Sequence, residues 1–452
     1  MKTIFITIFE GVEAKNLLRT DVLKTILGDP DVRVVLFTKD RNRADNYRKE
    51  FATSRVICET VNFPEISGSD KWFMRLKFTL LRTESTDLWR RLLYEKRRNY
   101  LFYKLGDIVN AILARPFAVR MFRYLDYLLV KNNIFARYFD EYRPDLVFLA
   151  NLFDDTEVHM LREAKRRMIK SIGLINSWDR TTSRCILRLL PDKCVVFNNI
   201  IKNDLEKFDL VLDEDIFVSG LPQYDFHFNA PYASREKFFA ELGLDPSRKI
   251  LLYAPFGLAY SNADWEIIEL LSRLNEQKRF AEKVSILVRC PPNDEVEASK
   301  FRRLPGVVYE FPGERFSKNK GNDWDMTGEE LRHLSDSLYY MSVMVCYASS
   351  ISIDAAVFDK PVININFDVG EDTPGKPSPR RHYVKRHYAQ ALVTGGIRLV
   401  ANEDELVKWV NVYLNNPSLD REKRQILVSR QCAYLDGKSG ERIGRFILEN
   451  MN

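Results

Sequence analysis

Short apolar runs of strand length alternate with longer stretches of helical period along almost the whole chain. Residues 2–8 (KTIFITI) and 32–37 (VRVVLF) read as buried strands, with a helical pattern at 13–27 between them. The same strand pattern returns at 145–150 (DLVFLA), 171–175 (SIGLI), 193–197 and 216–219, with helices expected at 155–168 and 201–208. A further strand is expected at 59–62. Residues 220–225, GLPQYD, stop the rhythm with Gly and Pro and read as a hinge. It then restarts, with strands expected at 250–254, 284–289, 306–311, 343–347 and 362–366. Helices are expected at 234–242, 263–275 and 329–341, after the serine pair Ser349-Ser350, and near 403–415, 420–434 and 439–450. Strands alternating with helices imply parallel, doubly wound sheets, with ligands at the carboxyl ends of the strands. The predicted fold is therefore α/β with two Rossmann-like domains, 1–220 and 221–452, facing an interdomain cleft. Residues 70 to about 142 depart from this order and read as a helical, basic insertion.

A length of 452 residues fits two cores better than one, and 45% hydrophobic with 29% charged residues is a soluble globular composition. The first apolar run reaches Glu10 without a small-residue cleavage site, so a strand is expected there and not a signal peptide. No apolar run has bilayer length, which places the expected location in the cytoplasm or on the inner face of the plasma membrane. Six scattered cysteines without a CxxC pair read as reduced core residues. Five histidines without ligand spacing give no reason to expect a bound metal, and no other cofactor is expected. The net charge of +6 is uneven: residues 71–125 carry 13 Lys/Arg against 4 Asp/Glu, interleaved with aromatics from Trp72 to Tyr124. Such a segment suits an anionic membrane surface, or equally a helical segment whose aromatics face the core. No nucleic-acid motif accompanies it, so no nucleic-acid partner is expected.

The most informative stretch is 343–368, VMVCYASSISIDAAVFDKPVININFD. A strand running into Ser349-Ser350 and then a helix leaves backbone N–H groups and two hydroxyls at the positive end of a helix dipole, where phosphate oxygens bind. Asp354 stands about one turn on and is placed to accept from a ribose or sugar hydroxyl. A well-capped βαβ unit without a ligand has the same sequence. Three more loops should crowd the same rim. Phe256-Gly257 offers backbone to a phosphate, Arg289 a bidentate guanidinium to a diphosphate, and 310–313 backbone to a base edge. In the first half, Glu10 follows the first strand, Asp154 and Asp155 follow DLVFLA, and NSWDRTTS (176–183) follows SIGLI. A carboxylate among the first three could serve as a general base, although acidic residues at a helix start are favoured for dipole reasons alone. The chain has no GxxxxGK[ST], GxGxxG or GxSxG motif, which argues against P-loop, dehydrogenase and α/β-hydrolase chemistry.

With NSWDRTTSR, GLPQYD, ILLYAPFG, ILVRCPPND and YYMSVMVCYASSISIDAAVFDKPVI, residues 145–450 resemble glycosyltransferases of the GT-B architecture. They are most similar to the group of capsule and surface-polysaccharide transferases and CDP-glycerol glycerophosphotransferases. The resemblance implies that Ser349, Ser350 and Arg289 contact a donor diphosphate and that Asp354 contacts its ribose or sugar. It implies a C-terminal donor domain, an N-terminal acceptor domain, last helices packed back across the hinge, and a diphosphate held without metal. Relatives often carry His-Pro after the strand of Arg289, where this chain has Pro291-Pro292. The expected activity is glycosyl transfer from a nucleotide-sugar co-substrate to a glycan or lipid-linked acceptor, in bacterial surface polysaccharide or glycolipid synthesis. Asp154 or Asp155, and after them Glu10, are the expected bases. The alternatives are a CDP-polyol phosphotransferase on the same scaffold and a non-catalytic, membrane-associated protein of that fold.

Overall fold

The computed structural model describes all residues except 52, 63–65, 230–231, 258–262, 293–302, 316–323, 370–377 and 452. Asn293 and Asp294, the end of the motif ILVRCPPND, therefore lie outside the described residues. The chain divides into two compact units. Unit 1 comprises Met1–Asp225, Lys385–His387 and Cys432–Asn452, and unit 2 comprises Phe226–Val384 and Tyr388–Gln431.

Unit 1 is built on seven strands: β1 (Lys2–Thr7), β2 (Val32–Thr38), β3 (Val56–Thr60), β4 (Leu146–Leu149), β5 (Lys170–Leu174), β6 (Lys193–Val196) and β7 (Ile216–Val218). Their order is β3-β2-β1-β4-β5-β6-β7, and every pairing is parallel. Side chains alternate across a strand, so an apolar run such as TIFI feeds two cores at once. Ile4 and Ile6 join Val34, Leu36, Ile443 and Ile447 on one face, while Phe5 joins Phe37, Phe135 and Tyr138 on the other. The C-terminal helix Ser439–Glu449 thus completes the core of the first sheet. Its Gly444 lies so close to helix Asp21–Leu27 that a Cβ would sit 2.6 Å from that of Thr25. The single helix expected at 13–27 is two, Gly11–Leu17 and Asp21–Leu27, because Thr20 accepts from the Val22 amide and starts a new helix.

The insertion contains helices Gly68–Leu76, Glu84–Arg97, Tyr100–Leu113, Pro116–Leu129 and Ala136–Tyr142. Phe73, Leu80, Leu81, Val119 and Phe122 pack with Ile186 into a small core. Beneath it, Arg188 reaches Asp126, Asp70 and Asp155 at 2.7, 2.7 and 3.0 Å, and Arg162 donates to Asp126 at 2.5 Å. These side chains, apart from a quarter-exposed Asp155, are almost wholly buried. Many aromatics of the insertion do not face a core. Leu101, Phe117 and Ile112 are 81, 74 and 65% exposed, and Trp72, Tyr100, Phe102, Leu105, Ile108 and Tyr124 are exposed with them. No described helix is long and apolar enough to cross a membrane.

Unit 2 has β8 (Ile250–Ala254), β9 (Ser285–Arg289), β10 (Val307–Glu310), β11 (Glu314–Arg315), β12 (Trp324–Asp325), β13 (Met341–Cys346), β14 (Val362–Ile365) and β15 (Arg398–Val400). β11 and β12 form a small antiparallel pair, and the others a parallel sheet in the order β10-β9-β8-β13-β14-β15. The three-residue edge strand β15 (RLV) was not anticipated, being too short for a pattern of period two to register. Thr327 and Glu330 form the expected capping box of helix Gly328–Tyr340. In both sheets the strand order runs in opposite directions from the first strand, with the switch between β1 and β4 and between β8 and β13. Doubly wound folds bind ligands at the carboxyl ends of such strand pairs.

Candidate active site

At the β8–β13 crossover of unit 2, the two loops differ in what they leave available. Asp264, on the first turn of helix Asp264–Glu276, accepts from the amides of Phe256 and Gly257 at 2.8 and 2.9 Å and from the Tyr253 hydroxyl at 2.6 Å. The backbone donors expected to approach a phosphate are therefore taken by a carboxylate, and Gly257, at φ +96°, supplies the left-handed turn that lets them be. The serine pair is different. Ser350 is exposed, occupies the N-cap of helix Ile351–Val357 with a helical backbone, and makes no side-chain cap bond; Ser349 is half-buried. Capping does not use the Ser350 hydroxyl. Ser352, two residues inside, is buried and bonds Tyr388 Oη at 2.9 Å within the core.

Arg289 ends β9 with its side chain buried, and its Nη1 donates to Glu310 Oε2 at 2.8 Å. His333 meets the other oxygen of Glu310. Burial favours the protonated acid, but His333 and Arg289 outweigh it and hold the Glu310 carboxyl below its usual range. Nη2 of Arg289 is buried without a hydrogen-bond partner among the described residues. Asp354 was aimed by sequence at the mouth beside the serines. It is only 8% exposed, and its Oδ1 lies 3.8 Å from Nε2 of His227, whose Nδ1 is 2.9 Å from Ser335 Oγ. His227 and His333 gave no signal in sequence, since each is a lone histidine on a helix.

In unit 1 the three expected carboxylates have partners. Asp154 is the N-cap of helix Asp155–Arg166, its Oδ1 accepting from Thr156 and Glu157 amides at 2.8 and 3.3 Å and its Oδ2 meeting Lys39 at 2.6 Å. Asp155 is bound by Lys77 at 2.8 Å as well as by Arg188 at 3.0 Å. Glu10 faces Arg180 at 3.5 Å. The carboxyls with raised proton affinity are two others. Glu13 accepts from the Phe9 and Glu10 amides at the end of β1, and Glu157 from the Asn151 amide at the end of β4. Both are fully buried, each with Oε1 unpartnered among the described residues. Burial first, and then the neighbouring charges of Glu10 and Asp154, push Glu13 up to about 8; burial and the charge of Glu13 raise Glu157 well above the usual range. At neutral pH the pair therefore carries at least one proton. A sequence search for exposed bases passes over them because they sit inside helices, at positions that read as core-facing.

The loop after β5 is tied to the short segment 385–387. The Trp178 and His387 rings meet edge-on at 5.0 Å, and Ser183 Oγ lies 3.3 Å from His387 Nδ1. Ser177 donates to Asp179 at 2.6 Å. Burial lowers His387 to about 4 and Lys385 to about 8, while Asp179 is held below the usual range, against its burial, by His387, Ser177 and nearby arginines. The sequence names Asp179 only within NSWDRTTS and gives no sign of Lys385 or His387, because two hundred residues separate the loop from its partners. Among the described residues no three His, Cys, Asp or Glu side chains gather as a metal site would need.

Comparison with known proteins agrees with this architecture. The fold is similar to Staphylococcus aureus MnaA in complex with UDP, with a TM-score of 0.55 at 11% identity over 100% of this chain and 98% of that one. It is also similar to the UDP-GlcNAc 2-epimerase of Neisseria meningitidis bound to UDP-GlcNAc, with a TM-score of 0.57 at 11% identity over the full length of both. The two Rossmann-like domains are thus of the GT-B type. In sequence, 240 residues are 22% identical to the teichoic acid ribitol-phosphate polymerase TarL of Staphylococcus aureus (strain NCTC 8325 / PS 47), covering 52% of this chain. The match spans 37% of that relative's length. Residues 189–449, more than half of the chain, match the family described as CDP-Glycerol:Poly(glycerophosphate) glycerophosphotransferase, and the chain belongs to that family.

Proposed function

We propose that this protein transfers a polyol phosphate from a CDP-activated polyol to a hydroxyl of a glycan or lipid-linked acceptor, in the synthesis of a cell-surface polymer. The observation that carries this reading is the family match over 189–449, which takes in β8 to β15 and the serine, Arg289 and Glu310 loops. It favours polyol-phosphate transfer over the glycosyl transfer expected from sequence. The acceptor oxygen attacks the polyol-side phosphorus, the bond to the other phosphate breaks, and CMP leaves with the electron pair. Unit 2 would hold the donor: the Ser349 and Ser350 hydroxyls and the Arg289 Nη2 face the diphosphate, while Asp354, with His227, and the Phe256-Gly257 turn shape the nucleoside side. Fixed donors of this kind stabilise charge that moves from one phosphate to the other. Unit 1 would bind the acceptor; there Asp154 serves a helix cap and an ion pair, Asp155 two ion pairs, and Glu10 faces Arg180.

The exposed apolar side chains of helices Tyr100–Leu113 and Pro116–Leu129, among exposed Arg97, Arg98, Lys104, Arg115 and Arg120, support a peripheral attachment to anionic lipid, where a lipid-linked acceptor would be met. The deciding experiment incubates the protein with CDP-glycerol, CDP-ribitol and a panel of UDP-, GDP- and dTDP-sugars and identifies the nucleotide released. CMP from a CDP-polyol supports the reading. A nucleoside diphosphate from a sugar donor overturns it in favour of glycosyl transfer, and no release from any donor points to a non-catalytic binding protein. Flotation with vesicles containing phosphatidylglycerol tests the surface, which should lose binding in Leu101→Glu/Phe117→Glu.

A further inference from the structure

The attacking hydroxyl must lose a proton, and none of the three expected carboxylates is well disposed to take it. Protonating Asp154 or Asp155 would break an ion pair and, for Asp154, a helix cap. Glu10 stands against Arg180. The loop 176–183 follows β5, on the carboxyl edge of the first sheet where acceptors are expected, and it carries an imidazole contributed from far along the chain. We propose that His387, held by Ser183 and Trp178, is the residue that accepts the proton of the acceptor hydroxyl, with the nearby Asp179 carboxylate stabilising the imidazolium that forms. This rests on the phosphotransfer reading above.

Several features converge on that ring. Ser183 Oγ lies 3.3 Å from Nδ1, and with Nδ1–H donating to the hydroxyl the lone pair on Nε2 is the basic atom. The edge-on Trp178 fixes its plane. The segment is held in place on both sides: the Arg386 amide donates to Ser85 Oγ at 3.0 Å, Arg386 reaches Asp204 at 3.7 Å and Glu84 at 3.6 Å, and Lys385 lies over the Trp89 ring at 5.5 Å. The charged groups around the ring are Asp179, Lys385, Arg180 and Arg184. Half-buried among them, the imidazole is neutral at working pH and ready to accept. A phosphate-bearing substrate arriving beside it adds negative charge, which stabilises the imidazolium when it forms. The proton passes from the hydroxyl to Nε2 as the O–P bond forms and the bond to CMP breaks, and returns to solvent after CMP departs.

The test compares wild type, His387→Asn and Asp179→Asn by CMP release across pH 4–9, alongside CMP binding by calorimetry. His387→Asn retains an amide that can bond Ser183, and unchanged near-UV circular dichroism and CMP affinity show that it is folded. The expected result is a fall in kcat of about 10²–10⁴ with the donor KM within threefold. The acid limb of the kcat–pH profile should vanish in His387→Asn and shift in Asp179→Asn. Overturning results are a kcat within threefold of wild type, an unchanged acid limb, or a loss carried by Glu10→Gln instead. If wild type releases CMP and His387→Asn does so equally, this proposal falls and the phosphotransfer reading stands. If a sugar donor is used instead, that reading falls and His387 is judged by the same criteria on the new reaction, which also removes a hydroxyl proton. If no donor turns over, both fall.

Discussion

The carboxyl edges of the two sheets share one topology and treat their polar groups in opposite ways. Around β1 and β4, buried carboxyls are packed behind the loops: Glu13 and Glu157 hold the amides that follow the strands, and Asp154 and Asp155 are enclosed by Lys39, Lys77 and Arg188. Around β8 and β13, one carboxylate, Asp264, secures the first loop, and the second presents an exposed serine that no cap consumes. The first edge is stiffened by interactions whose removal is costly, because a buried charge left alone is not compensated by solvent. The second keeps donors free for a ligand. A polar residue beside a strand end is thus not evidence of chemistry until its partners are known.

This contrast can be broken from either side. The largest effect is expected at Arg188, where Arg188→Ala leaves buried Asp126 with Arg162 alone and Asp70 with His159 alone; urea unfolding should show a loss of about 3–5 kcal/mol. Next comes pH. The folded Glu13 binds its proton up to about 8, whereas the unfolded chain releases it near 4.5, so between these values the folded state holds the extra proton. Stability should therefore be highest below the lower value and fall by about 1.4 kcal/mol per pH unit for this group through the window, then level off. Glu13→Gln, which cannot titrate, should flatten that slope in urea midpoints taken at several pH values. In unit 2, Asp264→Ala should cost about 1–3 kcal/mol by leaving two amides and a tyrosine hydroxyl unmatched. It should also weaken CMP binding through disorder of the turn, read by calorimetry. The smallest effect on stability, under about 0.5 kcal/mol, belongs to Ser350→Ala, because its hydroxyl makes no cap bond. Its CDP affinity should nevertheless fall about tenfold or more, the worth of one hydrogen bond to a charged group. Equal affinities would return the serine to a purely structural role.

The alternation of apolar runs with helical stretches was enough to place twelve of the fifteen described strands in two parallel sheets.

 The small pair β11–β12 and the edge strand β15 are not legible there, since two or three residues carry no readable period. The reason so much is legible is that a strand buried on both faces must be apolar throughout, a requirement written in consecutive residues. The serine pair, the Thr327–Glu330 capping box and the basic insertion were legible for the same reason: each is local in sequence. What only the tertiary structure decided is how distant groups are matched. It assigned Asp264 to the Phe256-Gly257 amides and Glu310 to Arg289. It buried Glu13 beside Glu157, turned many of the insertion's aromatics outward while Phe73 and Phe122 pack inward, and brought His387 to the loop after β5. Pairings of this kind depend on strand order and burial, so the same carboxylate can be a cap, an ion-pair anchor or a proton carrier. Sequence supplies the candidates, and the low-dielectric surroundings fixed by the fold decide which of them keep a charge, a proton or a free donor.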